Sequence, residues 1–329
     1  MIPTTFPAFR IHHDAAGYRS GIESIGLDAL SPGEIVIKAA YSSVNFKDAL
    51  AGTGQGKILR QFPLVGGIDV AGHVVQSRDP AFKEGDAVLC TGCGLSETRD
   101  GGYSAYARLE APWAIRLPTG LDLRESMILG TAGFTAGLAL LRMQDNRQTP
   151  ALGPLAVTGA TGGVGSLAIA IFSKAGYAVH AISGKADQAA WLRSLGACEV
   201  LGREALSTTK PLDSARFGGG LDNVGGTMLH ALLAHTAPYG NVASAGLVAT
   251  QHLATTVMPF ILRGVSLLGV ASAGTARDIR DEVWRRLSSD WKPAHLAAIT
   301  TREVGLEGLP AVFADMLAGR AQGRSLVRL

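Results

Sequence analysis

Cysteine, clustered charge and long apolar runs are all scarce in this 329-residue chain. Its three cysteines cannot form a disulfide framework, which fits a reducing compartment and predicts a cytoplasmic protein. The formal net charge is only +3, and Lys and Arg form no basic run. This excludes an electrostatic case for nucleic acid or a membrane surface as a partner. The opening stretch MIPTTFPAFRIHH also lacks the basic start and apolar run of a secretory signal.

The chain also lacks an obvious membrane-spanning segment. Its most apolar stretch, MILGTAGFTAGLALLRM, is about 17 residues long, whereas about 20 are needed to cross a bilayer. We therefore expect no transmembrane helix. What the chain does have is glycine, 42 residues of it, and an apolar fraction of 47%. That composition and length predict a turn-rich globular protein of about two domains.

The texture of the sequence changes near residue 122. Before it, short apolar runs such as EIVIKAAYS and DVAGHVVQS are broken by Gly, Pro and Asp, which predicts a β-rich domain. After it, strand-like and helix-like segments alternate, which predicts a doubly wound parallel sheet with helices on both faces. The predicted fold class is α/β, with a β-rich domain over 1–122, to which residues 272–329 return, and a doubly wound domain over 123–271.

A glycine-rich turn interrupts this alternation in VTGATGGVGS, residues 157–166. Its glycines lie between an apolar β-branched run and a helical pattern, where backbone N–H groups and the helix dipole favour a phosphate. The spacing is G-x-x-G-G-x-G rather than the strict G-x-G-x-x-G. The alternative is a turn that only allows tight packing of strand and helix.

The end of the next strand, Ser183-Gly184-Lys185, distinguishes between the two nicotinamide cofactors. An NAD site normally has Asp or Glu here to accept from the ribose hydroxyls, about 20 residues after the first glycine. This chain has no carboxylate before Asp187. A hydroxyl and an ammonium suit a 2′-phosphate instead, so the sequence predicts NADPH. The alternative is that Lys185 is a solvated lysine at the start of a helix.

Several longer runs are recognisable, among them SSVNFKDALAGTGQGKILRQFPLVGGIDVAGHV, ILGTAGFTA, VTGATGGVGS, TTVMPFILRGVSLLGV and the terminal GRSLV. On these runs, which span nearly the whole chain, the sequence resembles the medium-chain dehydrogenase/reductase superfamily. The resemblance extends to its zinc-free quinone oxidoreductase branch and, within that, to the acrylyl-CoA reductase subfamily. It implies a GroES-like catalytic domain over 1–122, a Rossmann NADPH-binding domain over 123–271, and a homodimer joined through the Rossmann sheets.

The resemblance also implies roles for single residues. It assigns binding of the pyrophosphate to Thr161, Gly162, Gly163 and Val164. It assigns binding of the 2′-phosphate to Ser183, Gly184, Lys185 and Arg203. It assigns contacts with the nicotinamide half of the cofactor to Leu247, Ile261 and Ser272. It assigns the nicotinamide and substrate pocket to Asn45, Phe46 and Thr135. Other interpretations stay open, since Thr135 could be a helix-interior hydroxyl and Arg203 a surface arginine.

Zinc ligands are missing from the positions at which related alcohol dehydrogenases carry them. The segment that would hold a cysteine reads SSVNFKD, and the usual Gly-His-Glu reads Gly67-Ile68-Asp69. Cys90 and Cys93 form a C-x-x-C without a second pair, which favours a buried strand-end cysteine and a loop cysteine over a redox or metal role. We predict no metal. An unactivated carbonyl needs a Lewis acid, so we expect a substrate that is already electrophilic, an alkene conjugated to a carbonyl or a quinone.

The sequence departs from the subfamily in the predicted substrate pocket. Phe46 replaces a tyrosine and has no O–H to donate. The loop that resembles TGWGxGExHWGG reads TGCGLSETRDGG, so Cys93, Arg99 and Asp100 replace two aromatic residues and a histidine, while Glu97 stays. Arg99 could attract an anionic group such as a CoA phosphate, or form a solvated pair with Asp100. Cys93, Glu97 and Arg99 are the predicted substrate-loop residues.

Three functions follow from these observations. The first is an NADPH-dependent reductase that transfers hydride to an activated carbon–carbon double bond of the acrylyl-CoA or enoyl type. The alternative is an NADPH:quinone oxidoreductase. A third possibility, of a different class, is an NADPH-binding protein that senses the cofactor without catalysis, for which Phe46 and the altered loop are the support.

Overall fold

The computed structural model describes residues 2–329. Its strands are β1 (Phe6–Asp14), β2 (Gly17–Ile25), β3 (Ile35–Val44), β4 (Leu64–Val65), β5 (Asp69–Ser77), β6 (Ala87–Thr91), β7 (Tyr106–Leu109), β8 (Ile115–Arg116), β9 (Leu155–Thr158), β10 (Val179–Ile182), β11 (Glu199–Leu201), β12 (Phe217–Asp222), β13 (Thr236–Ser244), β14 (Ser266–Gly269), β15 (Thr300–Val304) and β16 (Arg324–Arg328). Its α-helices are α1 (Phe46–Thr53), α2 (Leu123–Asp145), α3 (Gly163–Lys174), α4 (Ala189–Ser194), α5 (Gly226–Ala234), α6 (Met258–Arg263), α7 (Arg277–Leu287) and α8 (Leu309–Leu317).

The predicted doubly wound sheet is confirmed in one of two compact units, Ala132–Ser272 with Glu282–Ile299, which we call the Rossmann unit. Six strands lie in the order β11-β10-β9-β12-β13-β14, and every neighbouring pair is parallel. This is the strand order of dinucleotide-binding folds, which reverses next to the first strand. All residues of β9 and β12 are buried, as parallel strands covered on both faces must be.

The predicted β-rich fold is confirmed in the other unit, which runs to Thr131 and includes Ala273–Asp281 and Thr300–Leu329; we call it the β-rich unit. One sheet has the order β15-β16-β3-β5-β6-β8, with β7 also paired to β3, and a smaller sheet has the order β2-β1-β4. β16 runs antiparallel to β3 and brings the C-terminal residues into the larger sheet. The predicted domain limits themselves stay predictions.

Helix α2 contains the apolar stretch MILGTAGFTAGLALLRM and extends beyond it at both ends. It has 23 residues with a mean hydropathy of 1.3 over its most apolar 18, so by length and composition it is able to cross a membrane, contrary to the expectation from the 17-residue stretch. However, 83% of that window is already buried inside the protein, as in a core helix. The helical dihedrals also break at Gly130, where φ is 49° and ψ is −155°. This break turns the next backbone N–H towards a buried aspartate, described below.

Candidate active site and nucleotide-binding segment

The glycine turn between β9 and α3 has the geometry of a phosphate cradle. Gly159 has a left-handed φ of 60°. A Cβ at Gly165 would lie 2.3 Å from the carbonyl oxygen of Gly159, so only glycine allows the helix to start this close to the strand. Within the described chain α3 has no side-chain cap, so its first N–H groups can donate hydrogen bonds to an anion. The residues that the sequence assigned to the pyrophosphate, Thr161, Gly162, Gly163 and Val164, make up this turn and helix start.

The end of β10 collects the residues predicted to bind a 2′-phosphate. The Lys185 N–H donates to Ser183 Oγ at 3.0 Å, which folds the segment back on itself. A Cβ at Gly184 would lie 2.7 Å from Nε of Arg203, so the Arg203 side chain runs directly along this glycine. The structure therefore brings Ser183, Gly184, Lys185 and Arg203 together, although they are up to 20 positions apart. Their role in binding stays a prediction.

The residues predicted for the nicotinamide half are spread over three segments of the Rossmann unit. Leu247 follows β13, is 64% exposed, and lines a cavity of about 280 Å³ with the backbone of Gly225 and Gly246. Ile261 lies in α6 and is 73% exposed, and it is not among the described residues that line this cavity. Ser272 is half-buried at the end of the unit. Thr135 is buried inside α2.

In the β-rich unit, Asn45 lies just before α1, and both ends of its side-chain amide are held. Its Nδ2 donates to Asp69 Oδ2 at 2.8 Å and to Asp48 Oδ2 at 3.1 Å. Its Oδ1 accepts from Arg324 Nη1 at 3.1 Å. Because both N–H groups are engaged, the amide plane is fixed and Asn45 has no spare donor. Phe46 follows it at the start of α1 and is 38% exposed.

Asp69 is the centre of this polar cluster, which we define as Ser43, Asn45, Asp48, Asp69, Thr131 and Arg324. Asp69 is completely buried, and its carboxylate accepts from Ser43 Oγ at 2.5 Å and from Thr131 Oγ1 at 2.6 Å. The Thr131 N–H, freed by the break at Gly130, adds contacts of 3.0 and 3.1 Å. Together with the donation from Asn45, these contacts use both carboxylate oxygens.

Arg324 supplies the positive charge of the cluster from β16. Its guanidinium is buried, and it donates to the carbonyl oxygens of Ile128 at 3.0 Å and Val44 at 3.1 Å. Nη2 donates to Ser43 Oγ at 2.6 Å and lies 3.8 Å from Asp69 Oδ2. These hydrogen bonds offset the cost of removing the charged guanidinium from water.

Asp48 adds a second buried carboxyl to the same cluster. It accepts from the backbone N–H of Asn45 at 2.8 Å and of Ile68 at 2.9 Å. Burial, and then the negative charge of Asp69, raise the pKa of Asp48 to about 7. When Asp48 is protonated, the Asp69 carboxylate faces the Arg324 guanidinium as a single pair of opposite charges. Asp48 therefore binds a proton near neutral pH.

The predicted substrate loop is held by contacts within the β-rich unit. Glu97 forms an ion pair with Lys47, and Arg99 with Glu110. The alternative of a solvated Arg99–Asp100 pair is wrong. Asp100 is buried and accepts from the Ser31 N–H and hydroxyl at 2.6 and 2.7 Å and from the Val65 N–H at 2.7 Å. The Asp100 carboxylate is buried because it accepts from backbone N–H groups that would otherwise lack a hydrogen-bond partner.

Sequence reasoning missed the cluster as a unit. Asp48 and Arg324 were visible only as letters in the runs VNFKD and GRSLV, and Asp69 only as the residue in place of a zinc ligand. The available signal was charge inside otherwise apolar strands, since a buried Asp or Arg needs a partner.

The chain matches two family models, "Alcohol dehydrogenase GroES-like domain" over residues 31–119 and "Zinc-binding dehydrogenase" over residues 163–289. It is 44% identical over 328 residues, 99% of both chains, to YhfP of Bacillus subtilis, a protein named as a quinone oxidoreductase. It is 42% identical over 311 residues, 94% of both chains, to the acrylyl-CoA reductase AcuI of Ruegeria pomeroyi.

Two solved structures of oxidoreductases have the same fold over nearly the whole chain. The yhdH oxidoreductase of Salmonella enterica, crystallised with NADP, matches with a TM-score of 0.95 and 40% identity over 98% of this chain and 99% of that one. Bacillus subtilis yhfP, crystallised with NAD, matches with a TM-score of 0.96 and 44% identity over 99% of this chain and all of the other.

The residues at the position of a zinc ligand do not fit a zinc ion. Both oxygens of Asp69 already accept from hydroxyl, amide and backbone donors, and the Arg324 guanidinium occupies the place of a cation beside them. Among residues 2–329, no group of three or more His, Cys, Asp or Glu side chains is placed to hold a metal. Fold, motifs and relatives agree, and the chain belongs to the medium-chain dehydrogenase/reductase superfamily of oxidoreductases, in its zinc-free branch.

Proposed function

We propose that the protein is an NADPH-dependent, zinc-independent reductase that transfers hydride to the β-carbon of an alkene conjugated to a thioester carbonyl, of the acrylyl-CoA type. The observation that carries the choice of NADPH is the pair of cations, Lys185 and Arg203, beside Ser183 at the end of β10. The proposal is supported by the similarity over most of the chain to AcuI of Ruegeria pomeroyi.

The cofactor preference follows from charge. When bound, NADPH supplies the hydride. Lys185, Arg203 and Ser183 would hold its 2′-phosphate, and the N–H groups at the start of α3 would hold the pyrophosphate. A relative crystallised with NAD shares the fold. In this chain no carboxylate precedes Asp187 at that strand end to accept from a ribose 2′-hydroxyl, so we propose that NADPH is preferred.

In the β-rich unit, we assign Asn45 the role of a positioning residue. Its side chain is locked by Asp48, Asp69 and Arg324, so it fixes the start of α1 rather than reaching outward. Negative charge that develops on the thioester oxygen then needs other donors, and we propose backbone N–H groups for this. Phe46 has no O–H, so we propose that water delivers the proton to the α-carbon.

The test is NADPH oxidation by the purified protein with acrylyl-CoA and a small benzoquinone in parallel, and with NADH as the control. We expect turnover with acrylyl-CoA that far exceeds quinone turnover and is much slower with NADH. Turnover with quinone alone would contradict the thioester proposal. NADPH binding without oxidation of any acceptor would favour a non-catalytic sensor.

The second candidate is an NADPH:quinone oxidoreductase. The observation in its favour is the similarity to YhfP, whose name carries that activity, together with a substrate loop in which Cys93 and Asp100 stand where the resemblance leads us to expect aromatic residues. Quinones accept hydride readily and need few specific contacts. The parallel assay above distinguishes the two.

We also propose a cytoplasmic homodimer. β14 forms an open edge of the Rossmann sheet, and several large apolar side chains near that edge are exposed. They are Tyr239, Val257, Leu262 and Leu267. An apolar strand edge of this kind favours pairing with a second copy of the chain. Sedimentation of the wild type and of Leu262→Glu tests this, with a dimer expected only for the wild type.

A further inference from the structure

The turn after β6 has an unusual backbone. Gly92, Cys93 and Gly94 have φ values of 67°, 53° and 83°, three left-handed residues in a row. Cys93 is the one that carries a Cβ, which costs about 1–2 kcal/mol in this conformation. The turn is held by donation from the Cys93 N–H to the Ala273 carbonyl at 3.2 Å and from the Gly92 N–H to the Ile68 carbonyl at 2.7 Å. A strained non-glycine residue held in this way is a reason to look for chemistry at its side chain.

The turn carries the Cys93 thiol back to the thiol of Cys90. Cys90 is the fourth residue of β6 and is 1% exposed, and Cys93 is 8% exposed. The two side chains belong to the same buried cluster, and each thiol is a cause of the other's pKa shift. The Cys93 sulfur also lies 3.5 Å from the Thr91 carbonyl oxygen. Two reduced cysteines that meet across a C-x-x-C turn have the arrangement of a dithiol that can be oxidised.

Three arginines act on the sulfur of Cys93 through their positive charge. Arg280 is fully buried and donates to the Thr91 carbonyl at 2.9 Å and to the Thr91 hydroxyl at 3.2 Å. Arg99 and Arg277 also face the sulfur, but each is paired with a carboxylate, Glu110 and Asp281 respectively. Of these three cations, Arg280 has the largest effect on the acidity of Cys93.

The two cysteines consequently differ in acidity. The hydrogen bond from Cys90, and then the charges of Arg280, Arg99 and Arg277, lower the pKa of Cys93 to about 7, although burial opposes this. The same hydrogen bond, together with burial and the charge of Asp69, raises the pKa of Cys90 well above its ordinary value. One cysteine is suited to attack as a thiolate and the other stays protonated until it is needed.

We propose that Cys90 and Cys93 form a modification site that hydroperoxides oxidise reversibly. The Cys93 thiolate attacks one oxygen of hydrogen peroxide, the O–O bond breaks, hydroxide leaves, and Cys93 becomes a sulfenic acid. The Cys90 sulfur then attacks the Cys93 sulfur, the S–O bond breaks, the thiol proton of Cys90 leaves with the hydroxyl as water, and a Cys90–Cys93 disulfide remains. Overall, two thiols lose two electrons and the peroxide gains them. A small-molecule dithiol reverses the change by exchange.

Exposed Cys198 provides the matched control, because it is a reduced thiol in the Rossmann unit. The experiment treats the full-length folded protein with hydrogen peroxide at neutral pH, quenches with an alkylating reagent, and maps all three cysteines by mass spectrometry. In the wild type and in Cys198→Ser we expect a Cys90–Cys93 disulfide that dithiothreitol removes. In Cys90→Ser, or in Cys90→Ala if serine unfolds the core, we expect a Cys93 sulfenic acid that dimedone captures. In Cys93→Ser we expect Cys90 to stay reduced.

A second readout separates a reactive thiol from a merely buried one. The alkylation rate of Cys93 by iodoacetamide should rise with pH to a midpoint near 7, and the midpoint should move up in Cys90→Ala because its main cause is lost. The proposal is overturned if peroxide modifies Cys198 while Cys90 and Cys93 stay reduced, or if Cys93 sulfenic acid persists in the wild type without a disulfide. It is likewise overturned if the alkylation midpoint of Cys93 is the same with and without Cys90.

Discussion

Two regions of this molecule concentrate charge, and they do so in opposite ways. At the end of β10, Arg203 is exposed and Lys185 half-buried, with no carboxylate at the strand end before Asp187. In the polar cluster, Arg324 and Asp69 are both buried and satisfied by neighbours in the same unit. Cations gathered at the surface favour an anionic ligand, whereas a buried cation that donates to neighbouring carbonyl and hydroxyl groups stabilises the fold. Substitutions at the end of β10 should therefore change cofactor binding, and substitutions in the polar cluster should change stability.

The comparison makes its strongest prediction at Arg324. Replacing it with Met leaves Asp69 buried beside Asp48 without a cation, and removing one partner of a buried pair typically costs about 3–5 kcal/mol. We expect the free energy of unfolding, measured by urea titration, to fall by that amount. Arg328 in the same strand is the matched control, since its side chain is 71% exposed. Arg328→Met should change stability by less than about 0.5 kcal/mol. Equal losses at both positions would contradict a stabilising role specific to the buried Arg324.

At the end of β10 the same type of substitution should affect binding instead. Lys185→Ala and Arg203→Ala each remove a cation from the proposed 2′-phosphate site, and charged hydrogen bonds contribute about 1.5–3 kcal/mol, or roughly 10–100-fold in affinity. We expect KM for NADPH to rise by that factor with KM for NADH and the unfolding midpoint unchanged. Lys174→Ala, at the exposed end of α3, is the control. A parallel rise in KM for both cofactors would contradict the assignment.

The contrast also explains what the sequence could predict. Ser183, Gly184 and Lys185 are consecutive, they follow a recognisable strand, and their chemistry is local, so a ligand type followed from the residues alone. The fold likewise followed from alternation of strand and helix. The polar cluster joins Ser43, Asp69, Thr131 and Arg324, and the bond between Arg324 and Ser43 spans 281 positions. The antiparallel pairing of β16 with β3 brings Arg324 to Ser43, and no local pattern encodes that register.

Asp48 allows the comparison to be tested by pH. Its pKa rises from 3.8 to about 7 on folding, so the folded state binds the extra proton between those values. Stability from this group is therefore fully present at low pH and is lost as pH rises towards 7. The slope is up to about 1.4 kcal/mol per pH unit. We expect wild-type stability between pH 5 and 7 to fall more steeply than that of Asp48→Asn, which cannot titrate. Equal slopes would show that the cluster does not hold this proton.

The smallest expected effect concerns backbone strain at left-handed residues other than glycine, of which each unit has at least one. Arg147 lies in the Rossmann unit just after α2, is exposed, and has a left-handed φ of 63°. Its N–H donates to the Gln144 carbonyl at 2.9 Å, the usual closure of a helix end that favours glycine. Arg147→Gly should remove the Cβ strain at some cost in unfolded-chain entropy, a net gain of about 0.5 kcal/mol. Arg142→Gly, inside the same helix, should instead destabilise by about 1 kcal/mol.

The left-handed conformation of Arg147 only ends helix α2, so Arg147→Gly should raise stability without changing the reactivity of any side chain. The same left-handed strain at Cys93 orients a thiol towards Cys90, so Cys93→Gly should abolish peroxide sensitivity at this site whatever it does to stability. Urea titration and peroxide mapping of both variants measure the two effects side by side. If Arg147→Gly destabilises the protein, left-handed φ alone does not mark a removable strain, and the conformation of Cys93 loses its value as a sign of function.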